Sequence, residues 1–217
     1  MRTITVKGTG SVSIKPDYVV LSMALETRSD NYEKAMREAS IKIDELKSVI
    51  EGMGFEKDCL KTTDFNVSAE YENKKCDGTY QRIFSGWVVR HHLRLSFDLD
   101  TKALSRALVT VAACIADPEL SVSFTVKNPA DVNEALLKSA AENARKKAEI
   151  LCKASGVTLG SLISIDYNWS EVNVYSRTHY GAECDTLRAC AADSYSVDIE
   201  PDDINASDTV CFVWEIL

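Results

Sequence analysis

Apolar and polar positions alternate from the first residues of the chain: Ile4 and Val6, then Val12 and Ile14, then Val19, Leu21, Met23 and Leu25 beyond Pro16. A period of two sends successive side chains to opposite faces, so these segments predict strands with one face buried. From Asp30 the period changes. Tyr32, Met36, Ala39, Ile43, Leu46, Ile50 and Met53 recur three and four apart, with Glu33/Arg37 and Glu38/Lys42 on the other side. That spacing predicts an amphipathic helix with charge pairs along its wet face. Asp30 followed by Glu33 predicts a capping box at its start, and Gly52 and Gly54 tolerate a left-handed exit.

Two longer strand patterns follow, Thr63 to Tyr71 with Phe65, Val67 and Ala69 on one face, and Trp87 to Phe97 with Val89, Leu93 and Leu95 on one face. They predict a hairpin whose tight turn is Asp77-Gly78, with Lys74 and Lys75 beside it. A second helix is predicted from Thr101 to Ile115, its stripe formed by Leu104, Leu108, Val111 and Ile115, with Asp117-Pro118 as its stop. Leu120, Val122, Phe124 and Val126 alternate with Ser121, Ser123, Thr125 and Lys127, a half-buried strand. Asn128 as N-cap and Pro129 at the first helical position open a third helix that Gly156 closes. Its predicted stripe, Leu137, Ala141, Ala144, Ala148, Leu151 and Ser155, is small enough to sit close to a sheet. Leu162, Ile163 and Ile165 suggest another strand, and Val210, Phe212, Trp214 and Ile216 a terminal one. Residues 170–196 are polar, carry cysteine and show no clear period, which predicts a long loop or insertion. The pattern gives an α+β fold: antiparallel sheet with three main amphipathic helices packed on one face, in a single domain over 1–217 or two sub-lobes.

Composition narrows the function classes. The chain has 217 residues, 45% hydrophobic and 27% charged, which excludes a disordered or fibrous protein. Its formal net charge is −8, with 25 Lys+Arg against 33 Asp+Glu and no basic cluster, so no nucleic-acid partner is expected. No apolar run suits a membrane span. The first residues run straight into strand pattern without an apolar leader, which predicts a cytoplasmic protein, or an exported one if a leader was trimmed. The seven cysteines, Cys59, Cys76, Cys114, Cys152, Cys184, Cys190 and Cys211, are odd in number and contain no CxxC pair, which favours reduced thiols.

Candidate chemistry is sparse. Gly8-Thr9-Gly10 resembles the start of a phosphate loop but lacks the third glycine and the following helix, so a bulge or kink between two strand pieces is expected there. His91 and His92 are adjacent on a strand and point to opposite faces, so they do not chelate one ion together. His91 falls on the face of Leu93 and Leu95, and His92 joins Arg90 and Arg94 on a solvated polar strip. His179, Cys184 and Cys190, with Asp185 nearby, are the one local set with soft ligands, and their spacing fits structural zinc poorly. No nucleophile elbow, His-Glu-x-x-His helix or Walker loop is present. The sequence therefore nominates no catalytic, cofactor-binding or metal-ligating residue, and no cofactor.

Ile4 through Lys7, Gly8-Thr9-Gly10, the strand to Lys15 and then Pro16-Asp17 resemble the opening of the SIMPL-domain family. These are the YggE-like proteins of bacteria and their animal relative that associates with a Pelle-like kinase. Also similar are the long helix after residues 27–30, the Tyr71 to Gly86-Trp87 region, the alanine-rich helix ending at residues 154–160, and the closing stretch from Ile199-Glu200-Pro201 to Ile216. The resemblance covers nearly the whole chain. It implies an α+β fold, a tendency of bacterial members toward large homo-oligomers, links to stress tolerance and no established catalytic residues. The expectation is a non-enzymatic protein acting through self-assembly, by sheet edges and helix faces, or through an unknown protein partner. The alternative is a thiol- or metal-dependent stress-response protein using residues 179–190.

Overall fold

In the computed structural model, residues 2–76, 79–167, 172–182 and 199–217 are described. Among them the chain forms β1 (Thr3–Ile14), β2 (Tyr18–Ser29), α1 (Tyr32–Gly52), a 3-10 turn (Lys57–Cys59), β3 (Leu60–Cys76) and β4 (Thr79–Asp98). Then come α2 (Thr101–Ala112), β5 (Glu119–Thr125), α3 (Pro129–Ala154), β6 (Leu159–Asp166), β7 (Tyr175–Ala182) and β8 (Ile204–Ile216). The strands make a three-stranded sheet, β1-β8-β6, and a five-stranded sheet, β3-β4-β2-β5-β7, so the fold is α+β with antiparallel sheets. Contacts divide the chain into two compact units: Met1–Asp17, Thr125–Arg177 and Pro201–Leu217 in one, Tyr18–Phe124 and Thr178–Glu200 in the other.

In the second unit, α1 and α2 cover one face of the sheet. Val19, Leu21, Met23 and Leu25 of β2, Leu93 and Leu95 of β4, Leu46 and Ile50 of α1, Leu104 and Leu108 of α2, and Leu120, Val122 and Phe124 of β5 share one buried cluster. The helix ends depart from the expected caps. Asn31, not Asp30, caps α1: its side chain accepts a hydrogen bond from the Lys34 amide at 3.1 Å. The exit does use a glycine, Gly54 at φ 92°. Helix α2 stops at Ala112, and Ile115, expected on its stripe, is 82% exposed beyond the helix end.

In the first unit, α3 lies across β1 and β8. Strand β1 is continuous, pairing residue by residue with β8 from Thr3↔Glu215 to Ile14↔Ile204, so there is no bulge or kink at Gly8-Thr9-Gly10. The glycines serve helix packing instead. A Cβ at Gly8 would lie 2.0 Å from the Ala140 carbonyl oxygen, and one at Gly10 2.0 Å from that of Leu136. Where the backbones come this close the helix must present small side chains. The buried row of α3 is Val132, Leu136, Ala140, Ala144, Ala148 and Cys152, and it turns to alanine where Gly8 meets Ala140 and Ala144. The stripe expected from hydrophobicity is rotated toward Leu137 and Leu151, which are solvent-facing here. Asn128 stands at the N-cap without a side-chain hydrogen bond, and Pro129 begins the helix as expected.

Part of the expected 170–196 loop is strand. In β7, Ser176 is buried and its hydroxyl donates to the Asp202 carbonyl at 2.7 Å, while Tyr180 packs against the core of the second unit. Polar residues at inward positions erase the apolar alternation that announces a strand. The expected turn residues Asp77 and Gly78 lie outside the described residues.

Candidate functional site

The polar face of the five-stranded sheet brings Arg90 and His92, which the sequence grouped with Arg94, together with Glu26 and Arg28 of β2. Alternation along β2 and β4 turns Glu26, Arg28, Arg90 and His92 away from α1 and α2. Glu26 sits between two guanidiniums, 2.6 Å from Arg28 Nε and 3.0 Å from Arg90 Nε, and Arg28 also reaches Glu70 at 3.0 Å. The Arg28 guanidinium first, and Arg90 after it, hold the Glu26 carboxyl below its ordinary range. A shallow pocket beside this network is lined by Lys42, Asp117 and Glu119 as well as Glu26, Arg90 and His92. The acids and bases neutralise one another at the surface, where such pairs contribute about 0–1 kcal/mol each. This face is a solvated ion network.

His91 takes the other face, as predicted. Its Nε2 lies 2.8 Å from Thr62 Oγ1, and its ring meets Phe65 edge-on at 5.1 Å. Among the described residues, buried Nδ1 has no hydrogen-bond partner. Burial first, then the positive charges of Lys47 and His92, push its pKa below the ordinary histidine value. His91 and His92 thus stay on opposite sides of β4. His179 is exposed on β7, and Cys184, Asp185 and Cys190 lie outside the described residues. Cys114 and Cys152 are buried free thiols, and Cys59 and Cys211 half-buried ones. Among the described residues, no group of three or more His, Cys, Asp or Glu is placed to hold a metal ion.

Sequence reasoning missed the feature that distinguishes the surface. Strands β3 and β4 run well past the ends expected from periodicity and pair out to Cys76↔Thr79. A register shift between Glu70 and Tyr71 opposes Gly86, whose φ is 154° and whose missing Cβ would lie 2.8 Å from the Ser29 carbonyl oxygen. Beyond that bend the hairpin becomes a two-stranded arm. Along one face runs a chain of edge-on aromatic contacts: Tyr32 to Trp87 at 5.2 Å, Trp87 to Phe84 at 6.0 Å, and Phe84 to Tyr71 at 5.8 Å. The Arg82 guanidinium sits 4.3 Å above the Tyr71 ring. Tyr80 lies farther out on the same face by alternation and is 71% exposed. The opposite face is mostly polar, with Ser85 donating to Glu72 at 3.0 Å and Lys74 paired to Glu72 at 3.5 Å, and it also carries Ile83, 38% exposed across from Glu72. The signal in the sequence is the aromatic content of residues 71–87 either side of a single turn.

The edges of the three-stranded sheet are protected. Strand β1 ends the sheet order, so among the described residues the outward backbone groups of alternate positions face no further strand. Helix α3 satisfies three of them: Asn143 Oδ1 accepts from the Thr9 amide at 3.1 Å, Ser139 Oγ from the Ser11 amide at 3.4 Å, and Lys147 Nζ donates to the Lys7 carbonyl at 3.1 Å. Residues 139, 143 and 147 form one row along α3, adjacent to the row buried on Gly8 and Gly10. At the other edge, β6 is broken by register shifts between Leu159 and Leu162 and between Leu162 and Ser164. Bulges of this kind discourage strand addition.

No helix among the described residues is long and apolar enough to cross a membrane. Among curated proteins, none matches the chain. Comparison with protein families matches residues 4–214 to SIMPL, described as a protein of unknown function (DUF541). That span takes in the Gly-x-Gly strand that seats α3, the aromatic arm and the closing strand β8, and on this match the chain belongs to the SIMPL family.

Proposed function

We propose that the protein works by contact: it is a non-enzymatic SIMPL protein that acts by self-assembly or by binding a protein partner. The observation that supports this is the aromatic face of the β3–β4 arm. Tyr32, Tyr71 and Phe84 are each close to half exposed, and edge-on ring contacts link them through Trp87. Isolated two-stranded hairpins are marginally stable in water, and contiguous exposed apolar patches mark interaction sites more often than they mark idle surface. A role in stress tolerance rests on the family resemblance; slower growth of a deletion strain under stress, restored by the intact chain, is the outcome expected of it.

Size-exclusion chromatography with light scattering tests the self-assembly form directly. The expected result is a mass well above the 24.0 kDa of one chain. A clean monomer at micromolar concentration refutes it.

A further inference from the structure

We infer that the arm's aromatic face is a self-docking surface: it packs antiparallel, face to face, on the same arm of a second copy of this chain. The inference rests on the contact reading above and adds to it where the contact lies and what occupies it.

Area favours such a partner. Aromatic side chains bury about 150–250 Å² each when fully covered. With Tyr32 47%, Tyr71 46%, Phe84 45% and Tyr80 71% exposed, this face offers roughly 400 Å² of coverable aromatic surface. A standard interface buries about 800 Å² per partner, somewhat over half of it non-polar, or roughly 450 Å². One arm with the adjoining Tyr32 therefore supplies almost the whole apolar share of one side of a stable dimer. Three of the four counted side chains are Tyr, and Trp87 and Arg82 adjoin them; Tyr, Trp and Arg are the residues enriched among interface hot spots.

Complementarity favours a second copy. The face has two chemically different ends: toward the tip stands the Arg82 guanidinium, and toward the base stand Trp87 and Tyr32. A two-fold axis about midway between Arg82 and Trp87 sets each guanidinium against the aromatic base of the other copy, a cation–π arrangement. It lays the two Tyr71–Phe84 pairs on one another and keeps the two Arg82 charges apart. A two-fold contact uses one patch twice and closes on itself, so it makes a dimer unit, not an open fibre. The reverse face, where the Arg28–Glu70 and Ser85–Glu72 contacts flank the single aliphatic side chain of Ile83, stays in water. In the three-stranded sheet, the competing route through sheet edges meets α3 over β1 and register shifts in β6.

The test compares solution mass and dissociation constant for the wild type, the double variant Tyr71→Ser/Phe84→Ser, and the β6 control Leu162→Ser/Ile165→Ser, with circular dichroism to verify folding. The control residues are likewise about half exposed, but outside the arm. Central aromatic anchors each contribute about 30-fold or more to affinity. The folded arm variant should dissociate at least that much more readily, and the β6 control should match the wild type. Wild type and folded arm variant remaining equally associated, or the β6 variant alone dissociating, overturns the self-docking site while leaving the contact reading in place. A monomeric wild type overturns the self-docking site together with the self-assembly form of the contact reading. Should the double variant lose its fold, Arg82→Glu replaces it, since this solvent-facing side chain lies outside the core clusters. Weakened association then supports the site, and unchanged association overturns it.

Discussion

Replacing Gly8 or Gly10 with alanine tests the placement of α3 more sharply than any change in the hydrophobic core. A single methyl group at either position would sit 2.0 Å from a helix carbonyl oxygen, and at Gly8 also 2.7 Å from Ala144 Cβ. Ordinary contact begins near 3.5 Å, so helix and strand must part by about 1.5 Å. A carbonyl in mid-helix cannot swing aside as a side chain would, and α3 must shift as a body. Overpacking of this kind costs about 1–3 kcal/mol. The same shift stretches the hydrogen bonds that Asn143 and Ser139 accept from β1 and that Lys147 donates to it, forfeiting about half of the ~1 kcal/mol each contributes. Against this, alanine restricts the unfolded chain and returns about 0.4–1 kcal/mol. The net expectation is a loss of about 2–4 kcal/mol for either single variant. That is a large part of the roughly 5–15 kcal/mol typical of a whole domain, and it corresponds to a melting temperature lower by about 5–15 °C. Gly52→Ala is the matched control, because Gly52 closes α1 with nothing within 4 Å of where the added methyl would stand, and the variant should gain about 0.5–1 kcal/mol. Urea titration of the three variants beside the wild type measures the differences. Gly8→Ala and Gly10→Ala unfolding at or above the wild-type midpoint, with Gly52→Ala stabilised, would refute the close approach.

Further changes separate the other forces. Asn143→Ala removes the acceptor for the Thr9 amide and should cost about 1–2 kcal/mol in urea unfolding, with light scattering rising as the β1 edge is uncovered. Asn31→Ala removes the α1 cap and should cost about 1 kcal/mol, whereas Asp30→Ala should cost clearly less, which reverses the order expected from the sequence. His91 has a folded pKa held below the ordinary 6.5, so the unfolded state takes up its proton first: stability is full above that value and falls as pH drops through the lowered folded pKa. The melting temperature of His91→Gln should therefore fall less than that of the wild type between pH 7 and 5, and parallel curves would show that His91 does not set the slope.

The elements legible in the sequence are those whose partners lie across a simple apolar face. Strands β2, β5 and β8 put Leu21, Phe124 and Phe212 where alternation predicts, because a half-buried strand needs nothing more than one wet and one dry side. What the sequence hid depends on distant neighbours. Gly8 and Gly10 read locally as a break in a strand, yet their reason is a helix more than 120 residues later, and the same closeness explains why α3 buries alanines while Leu137 and Leu151 face water. Hydrophobicity ranks leucine above alanine; backbones in contact reverse the order. Strand β7 was hidden by a buried serine that satisfies its hydroxyl on Asp202. The arm was hidden for a related reason. The register shift at Gly86 breaks the alternation, so the aromatic row from Tyr71 to Trp87 presents as a connection between strands when it is a strand surface in its own right. A periodicity that ends where the fold no longer needs it can mark where a partner does, and in this chain that point is the bend at Gly86, beyond which one side of the hairpin carries aromatic rings that stay close to half in water.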